Sequence, residues 1–254
     1  TRWILDYESL PLTNDTPRTP PLIQAKASYL ILGDVQSELG QTWAASLLKL
    51  GASVFWINTH PESKVPPSLL NDQMSLMDAA TSETIQAAIQ SIQTSPGMPR
   101  GIFVCSDTAN KQSAAPLTLL QKSHWEYNEQ SKRMPLEALA SCLDSDIPKF
   151  VCAQSSLSSI IGGMGLAAYS GTNHQVDAMV AIQNQKQSCA WYAINWDRLT
   201  HGAVQSDSEK NTNEEHPSNA IEKELAWKTT LRILTQAPPG QYIVSLESLY
   251  DRLE

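Results

Sequence analysis

Residues 27–58 read ASYLILGDVQSELGQTWAASLLKLGASVFWIN. Residues 27–33 form a short continuous apolar run, the pattern of a fully buried strand. A polar turn occupies 34–38. Leu39, Trp43, Leu47 and Leu50 then recur at helical spacing, and Gly51 stops the run. Residues 52–58 are again apolar and rich in branched and aromatic side chains, so they predict a second strand. Strand, turn, helix and strand in that order open a parallel α/β layer.

The same alternation continues outward. Residues 75–80 predict a short strand and its end. Residues 82–93 predict a helix with Ser82 as its cap, and 101–107 a buried strand. Residues 119–142 read as mostly helical, with an interruption at Pro135. Residues 149–156 predict a strand ending in two serines, and Ala168, Thr172 and Val176 then share one helical face. A strand at 189–197, a helix at 219–236 and a strand at 240–245 complete the chain. The expectation is an α/β fold, a doubly wound parallel sheet over 26–254. Residues 1–25 read as a connecting strand, at 3–7, and a Pro- and Thr-rich linker. Residues 202–218 are polar and acidic and read as a loop or lid.

The chain has 254 residues, and 41% of them are apolar, which is enough for a sizeable core. Its net charge is −8, so no basic stripe is available for phosphates and no nucleic-acid partner is expected. No apolar run reaches membrane-spanning length, so no membrane partner is expected either. Cys105, Cys142, Cys152 and Cys189 are far apart and suggest neither a zinc cluster nor a disulfide framework. A cytoplasmic setting is therefore expected. The N-terminus, TRWILDYESL, carries no signal-peptide pattern and reads like part of a longer polypeptide. There are only 11 glycines against 15 prolines, although nucleotide-binding α/β domains place glycines at phosphate turns.

Two groups of residues could carry chemistry. The first is the turn after the opening strand, Gly33 to Gly40. Glycines there permit a tight turn and close approach of a pyrophosphate to a helix N-terminus. Gly33 and Gly40 are present, but Asp34, Ser37 and Glu38 stand between them. The turn reads either as a damaged phosphate site or as a plain structural turn. The end of the second strand, Asn58-Thr59-His60, offers no arginine for a 2′-phosphate, and His60 reads as a loop histidine. The second group is Ser155 and Ser156 at a strand end, with Tyr169 thirteen residues after Ser156 and Asn173 one turn further on. A tyrosine can protonate a developing alkoxide if a lysine ammonium favours its phenolate, and a serine hydroxyl can hold the carbonyl oxygen. A surface tyrosine and a capping serine would give the same residues.

These residues carry a resemblance. FVCAQSSLSSIIGGMGLAAYSGTNHQVDAM (150–179) is similar to the serine-to-tyrosine block of the ketoreductase domains of modular polyketide synthases. Those domains belong to the short-chain dehydrogenase/reductase superfamily. YLILG, WYAINWD and PPGQYIVSLESLYDRL resemble the opening, following and closing segments, and RWILDYESLPL resembles the strand joining the family's structural subdomain. The resemblance implies a Rossmann-like fold. Its catalytic set would be Ser156, Tyr169, Lys132 and Asn173, with lysine and asparagine exchanged relative to ordinary members. Its cofactor would be NADPH, and its substrate a β-ketoacyl chain on the phosphopantetheine arm of an acyl carrier protein. A structural subdomain and neighbouring synthase domains would be further partners.

The cofactor side departs from the family. Glycines are lost between Gly33 and Gly40, and the turn has gained a residue. The small patch beneath the ribose and nicotinamide reads Cys105-Ser106-Asp107, so Asp107 adds bulk and charge. Asp78 matches the adenine-contacting position, with a helix-cap role as its alternative. The leading expectation is a pseudo-ketoreductase with weak or lost NADPH binding and a structural role. Epimerisation of an α-substituted β-ketoacyl thioester is one alternative, and active NADPH-dependent reduction another. The Leu-Asp-Asp stereochemical fingerprint is not visible at 107–117, and Ile161 stands where the opposite class has tryptophan.

Overall fold

The computed structural model describes residues 22–94, 97–106, 112–143, 148–186, 188–199 and 220–249. The strand expected at 3–7, Asp107 and the segment 202–218 lie outside the described residues.

Seven strands run in chain order: β1 (Ser28–Gly33), β2 (Ser53–Asn58), β3 (Met74–Asp78), β4 (Gly101–Val104), β5 (Phe150–Ser156), β6 (Ala190–Trp196) and β7 (Gly240–Val244). They form one sheet in the order β3-β2-β1-β4-β5-β6-β7, and every pairing is parallel. The chain leaves β1 toward β2 and β3, then crosses to β4 on the other side of β1. That reversal opens a crevice beyond the carboxyl ends of β1 and β4, the place where such sheets bind ligands.

Helices cover both faces. On one side α1 (Glu38–Lys49) and α7 (Lys223–Gln236) pack over Tyr29, Ile31, Phe103 and Tyr192. Trp43 is fully buried there, and its indole N–H donates to Thr230 Oγ1 at 3.2 Å, tying α1 to α7. On the other side α2 (Ser82–Thr94), α4 (Met134–Ser141) and α6 (Ala167–Lys186) pack over Leu30, Leu32, Ile102 and Val151. Alternate β1 residues thus serve opposite cores, which is why the strand is apolar throughout. Each such side chain contributes roughly 1.5–3 kcal/mol by leaving water. Ala168, Thr172 and Val176 of α6 are buried, as their shared face predicted. Among the described residues no helix is long and apolar enough to cross a membrane.

Three local expectations are corrected. Leu50 is the C-cap of α1 and is 40% exposed, so the buried stripe ends at Leu47. Thr81, not Ser82, caps α2: its Oγ1 accepts the Thr84 N–H at 3.3 Å and its carbonyl accepts that of Ile85. Adjacent hydroxyl residues are chemically equivalent caps, and the chain's entry angle selects one. Pro135 does not interrupt the helical run. Backbone helix continues from α3 (Lys122–Asn128) through a π turn (Glu129–Arg133) into α4. A proline ring clashes with the carbonyl four residues back, and here residue 131 lies in the widened turn, which accommodates it.

Candidate active site

The site begins where β5 ends. A cleft of about 400 Å³ lies against Ser155, Ser156, Ile161, Tyr169, Trp196 and Arg198. Ser156 is the last residue of β5, and α5 (Ser158–Ile161) turns immediately after it. Its Oγ accepts from the Ser158 N–H at 3.2 Å and lies 3.0 Å from the Ser158 hydroxyl. Tyr169 sits in the first turn of α6 and is 5% exposed.

Lys132 reaches the same place from the π turn. Its Nζ lies 4.6 Å from the centroid of the Tyr169 ring and donates to Ser106 Oγ at 2.6 Å. The residue is 4% exposed, so this ammonium is held almost out of water. Asn173, one turn beyond Tyr169, is also buried. Its Nδ2 donates back to the Tyr169 carbonyl at 2.8 Å, and its Oδ1 is buried without a hydrogen-bond partner. The fold thus brings Ser156, Tyr169, Lys132 and Asn173 together at the carboxyl edge of the sheet.

The turn after β1 is built differently from an open phosphate cradle. The Val35 N–H donates to Asn58 Oδ1 at 3.3 Å, the Gln36 N–H to Asp34 Oδ1 at 2.9 Å, and the Ser37 N–H to the Asp34 carbonyl at 3.0 Å. Ser37 is the N-cap of α1, accepting the Gly40 N–H at 3.2 Å. Asp34 is 5% exposed, and its carboxylate stands 4.0 Å from His60 Nδ1. His60 is 8% exposed, so it is no ordinary loop histidine. Asn58 links the three strand ends: its Nδ2 donates to the His60 carbonyl at 2.9 Å and to Asp78 Oδ1 at 2.8 Å. Asp78 is exposed and caps no helix. Glu38 opens α1, with Lys223 Nζ 3.9 Å from its carboxylate.

Gly33 and Gly40 are retained for packing. A Cβ on Gly33, whose φ is +146°, would lie 2.1 Å from the Cys105 carbonyl oxygen. On Gly40 it would lie 2.6 Å from Cys105 Sγ and 3.0 Å from the Trp56 ring. Both glycines therefore let α1 and β4 close on β1.

Beneath the cleft floor lies a polar cluster that sequence reading did not single out. Asp177 Oδ2 accepts from Ser159 Oγ at 2.7 Å, Asn195 Nδ2 at 2.8 Å and Gln241 Nε2 at 3.0 Å. Burial raises its carboxyl above the ordinary range, against the opposing effect of hydrogen bonds from Ser159, Ser155 and Asn195 and of the nearby His174. Gln154 also escaped notice as a site residue, and Asn58 and Ser106 were noted only as members of the cofactor-side segments 58–60 and 105–107. Polar side chains at the carboxyl ends of apolar strands were the available signal.

The KR domain family model matches residues 27–201. The chain belongs to the KR domain family. Its fold is that of the short-chain dehydrogenases/reductases. A ketoreductase from the first module of phoslactomycin biosynthesis in Streptomyces sp. HK803 matches with a TM-score of 0.72 at 15% identity, covering 94% of this chain and 56% of that one. A short-chain type dehydrogenase/reductase from Mycobacterium ulcerans matches with a TM-score of 0.69 at 17% identity, covering 87% and 88%. L-Sorbose reductase from Gluconobacter frateurii, solved with NADPH and L-sorbose, gives 0.67 at 15% identity, covering 90% and 100%. No curated protein matches the chain. At these identities the solved structures speak for the fold of this KR domain.

Proposed function

We propose that this KR domain is the ketoreductase-like domain of a modular polyketide synthase, has lost its NADPH site and serves its assembly without redox chemistry. The observation that carries this reading is the turn after β1. A phosphate at a helix N-terminus is held by free backbone amides and favoured by the helix dipole. The amides of Val35, Gln36 and Ser37 instead serve Asn58 and Asp34. The Asp34 carboxylate already takes the Gln36 amide, and its negative charge beside the α1 N-terminus opposes a pyrophosphate. These engaged amides and this carboxylate support a turn that does not accept a dinucleotide. Titration calorimetry with NADPH tests this: no saturable heat is expected below millimolar cofactor. A micromolar Kd would sink the reading and restore ketoreduction as the activity.

The assembled Lys132, Tyr169 and Ser156 favour a second reading, epimerisation of an α-substituted β-ketoacyl thioester. Loss of the α-proton to solvent water leaves an enolate whose oxygen Tyr169 and Ser156 would hold, and return of a solvent proton to the opposite face of the α-carbon inverts the centre. Deuterium at the α-carbon of a 2-methyl-3-ketoacyl thioester would wash out; a purely structural domain leaves the label in place. On either reading the partners are an acyl carrier protein with its phosphopantetheine-bound chain, a structural subdomain and neighbouring synthase domains.

A further inference from the structure

Lys132 has an anchor outside the set that the resemblance supplied. Its Nζ donates to Ser106 Oγ at 2.6 Å, and the two residues are 4% and 5% exposed. Ser106 lies two residues beyond β4, and its own backbone is held from two sides. Its N–H donates to Gln154 Oε1 at 3.0 Å, from β5. Its carbonyl accepts Ser37 Oγ at 3.3 Å, from the cap of α1. The hydroxyl is thus presented from a fixed point where three elements meet.

A lysine ammonium is a compact charge on a flexible stem. Buried, it rests where acceptors compensate its desolvation. The π turn delivers Lys132 to the sheet edge, and the Ser106 hydroxyl then selects where along its reach the charge stops. That stopping point is 4.6 Å from the centroid of the Tyr169 ring.

We propose that Ser106 is a positioning residue for Lys132, its hydroxyl fixing the ammonium over Tyr169 so that the charge acts on the phenol without a bound dinucleotide. An opposite charge at this range favours the phenolate. Other charged or titratable groups on the elements around Tyr169 are Asp197 and Arg198, which line the same cleft after β6, His174 and Asp177 further along α6, and, on the segments packed against α6, His124, Glu126 and Tyr127 of α3 and Glu129 and Arg133 of the π turn. None of them lies on the elements that hold Ser106.

The test is the ionisation of Tyr169, read as tyrosinate absorbance of the protein minus that of Tyr169→Phe. Lys132→Met sets the upper limit. In Ser106→Ala the midpoint is expected to rise toward that limit by about one pH unit, a tenfold loss of phenolate at a given pH. Ser106→Thr keeps the hydroxyl and is expected to keep the wild-type midpoint. Ser106→Gly supplies the same comparison if the alanine variant does not fold. An unchanged midpoint on loss of the hydroxyl overturns the proposal. So does a threonine variant that shifts as far as alanine, or a wild-type midpoint no lower than that of Lys132→Met. The titration needs no NADPH, so its outcome is independent of the redox reading.

Discussion

The side-chain oxygen of Asn58 accepts the backbone N–H of Val35 at 3.3 Å, so the end of one strand caps the turn that follows its neighbour. The pairing of Gly33 with Asn58 in the β1–β2 register places them side by side. The same oxygen takes the His60 N–H at 3.2 Å, and the amide nitrogen serves the His60 carbonyl and Asp78.

Asn58 is 1% exposed, so Asn58→Ala strands buried backbone groups in two loops at once. Each unsatisfied buried group costs about 1–3 kcal/mol. Two N–H groups, of Val35 and His60, lose their acceptor, so urea unfolding is expected to show a loss of about 2–6 kcal/mol by this count. A loss no larger than that of a surface substitution, about 0.5 kcal/mol, would mean that water replaces the side chain and that the turn is open.

Gly40→Ala is expected to destabilise by about 1–3 kcal/mol, the usual result of overpacking. The added Cβ would meet Cys105 Sγ at 2.6 Å and Trp56 at 3.0 Å. Removing the sulfur in the Gly40→Ala/Cys105→Ala double variant should recover part of the loss, because residues in contact couple. The Trp56 ring limits the recovery. Strict additivity of the two single changes would show that Gly40 is kept for something other than this contact.

The strands were legible because a parallel sheet buried on both faces writes continuous apolar runs, as at residues 29–32 and 150–153. Ser156 and Tyr169 were legible because both lie in one continuous block. Lys132 was not readable from spacing: it comes from a separate helix, and only the family resemblance marked it. The contacts between Ser37 and Ser106, and between Asn58 and Val35, depend on strand order and register, which periodicity does not encode. His60 read as a loop residue for the same reason, since its burial comes from packing beside Asp34 and Tyr127. The π turn before Pro135 was hidden because proline normally signals a stop.

The cysteines offer a check on the core that leaves Ser156, Tyr169, Lys132 and Asn173 untouched. Cys105 and Cys152 are buried, and burial pushes the Cys152 thiol far above its ordinary range. The Cys189 thiol is pushed up to about 11, again by burial. Thiolate is the reacting form, so at about pH 8 Cys189 should alkylate on the order of a hundredfold more slowly than free cysteine. Cys105 and Cys152 should label only when denaturant unfolds the chain. Mass spectrometry after timed iodoacetamide quenching reads all of them together, and early labelling of Cys152 would contradict the packing of β5 between its neighbours.

Asp177 predicts a pH dependence with a definite sign. Burial raises its carboxyl in the folded protein, while the unfolded chain keeps the ordinary value. The groups around it are Ser155 on β5, Ser159 on α5, Asn195 on β6 and Gln241 on β7, all uncharged, with His174 acting from its own helix. Between the two pKa values the folded state holds a proton that the unfolded state has released. Stability then falls as pH rises. The contribution is greatest below the ordinary Asp range, declines through the raised folded value, and is level above it. Asp177→Asn keeps the shape and removes the titration. The Tm of wild type minus that of Asp177→Asn should therefore decrease from acid toward neutral pH, and groups common to both proteins cancel. A flat difference would show that the carboxyl titrates alike in both states, and a rising one that the three donors on Oδ2 outweigh its desolvation.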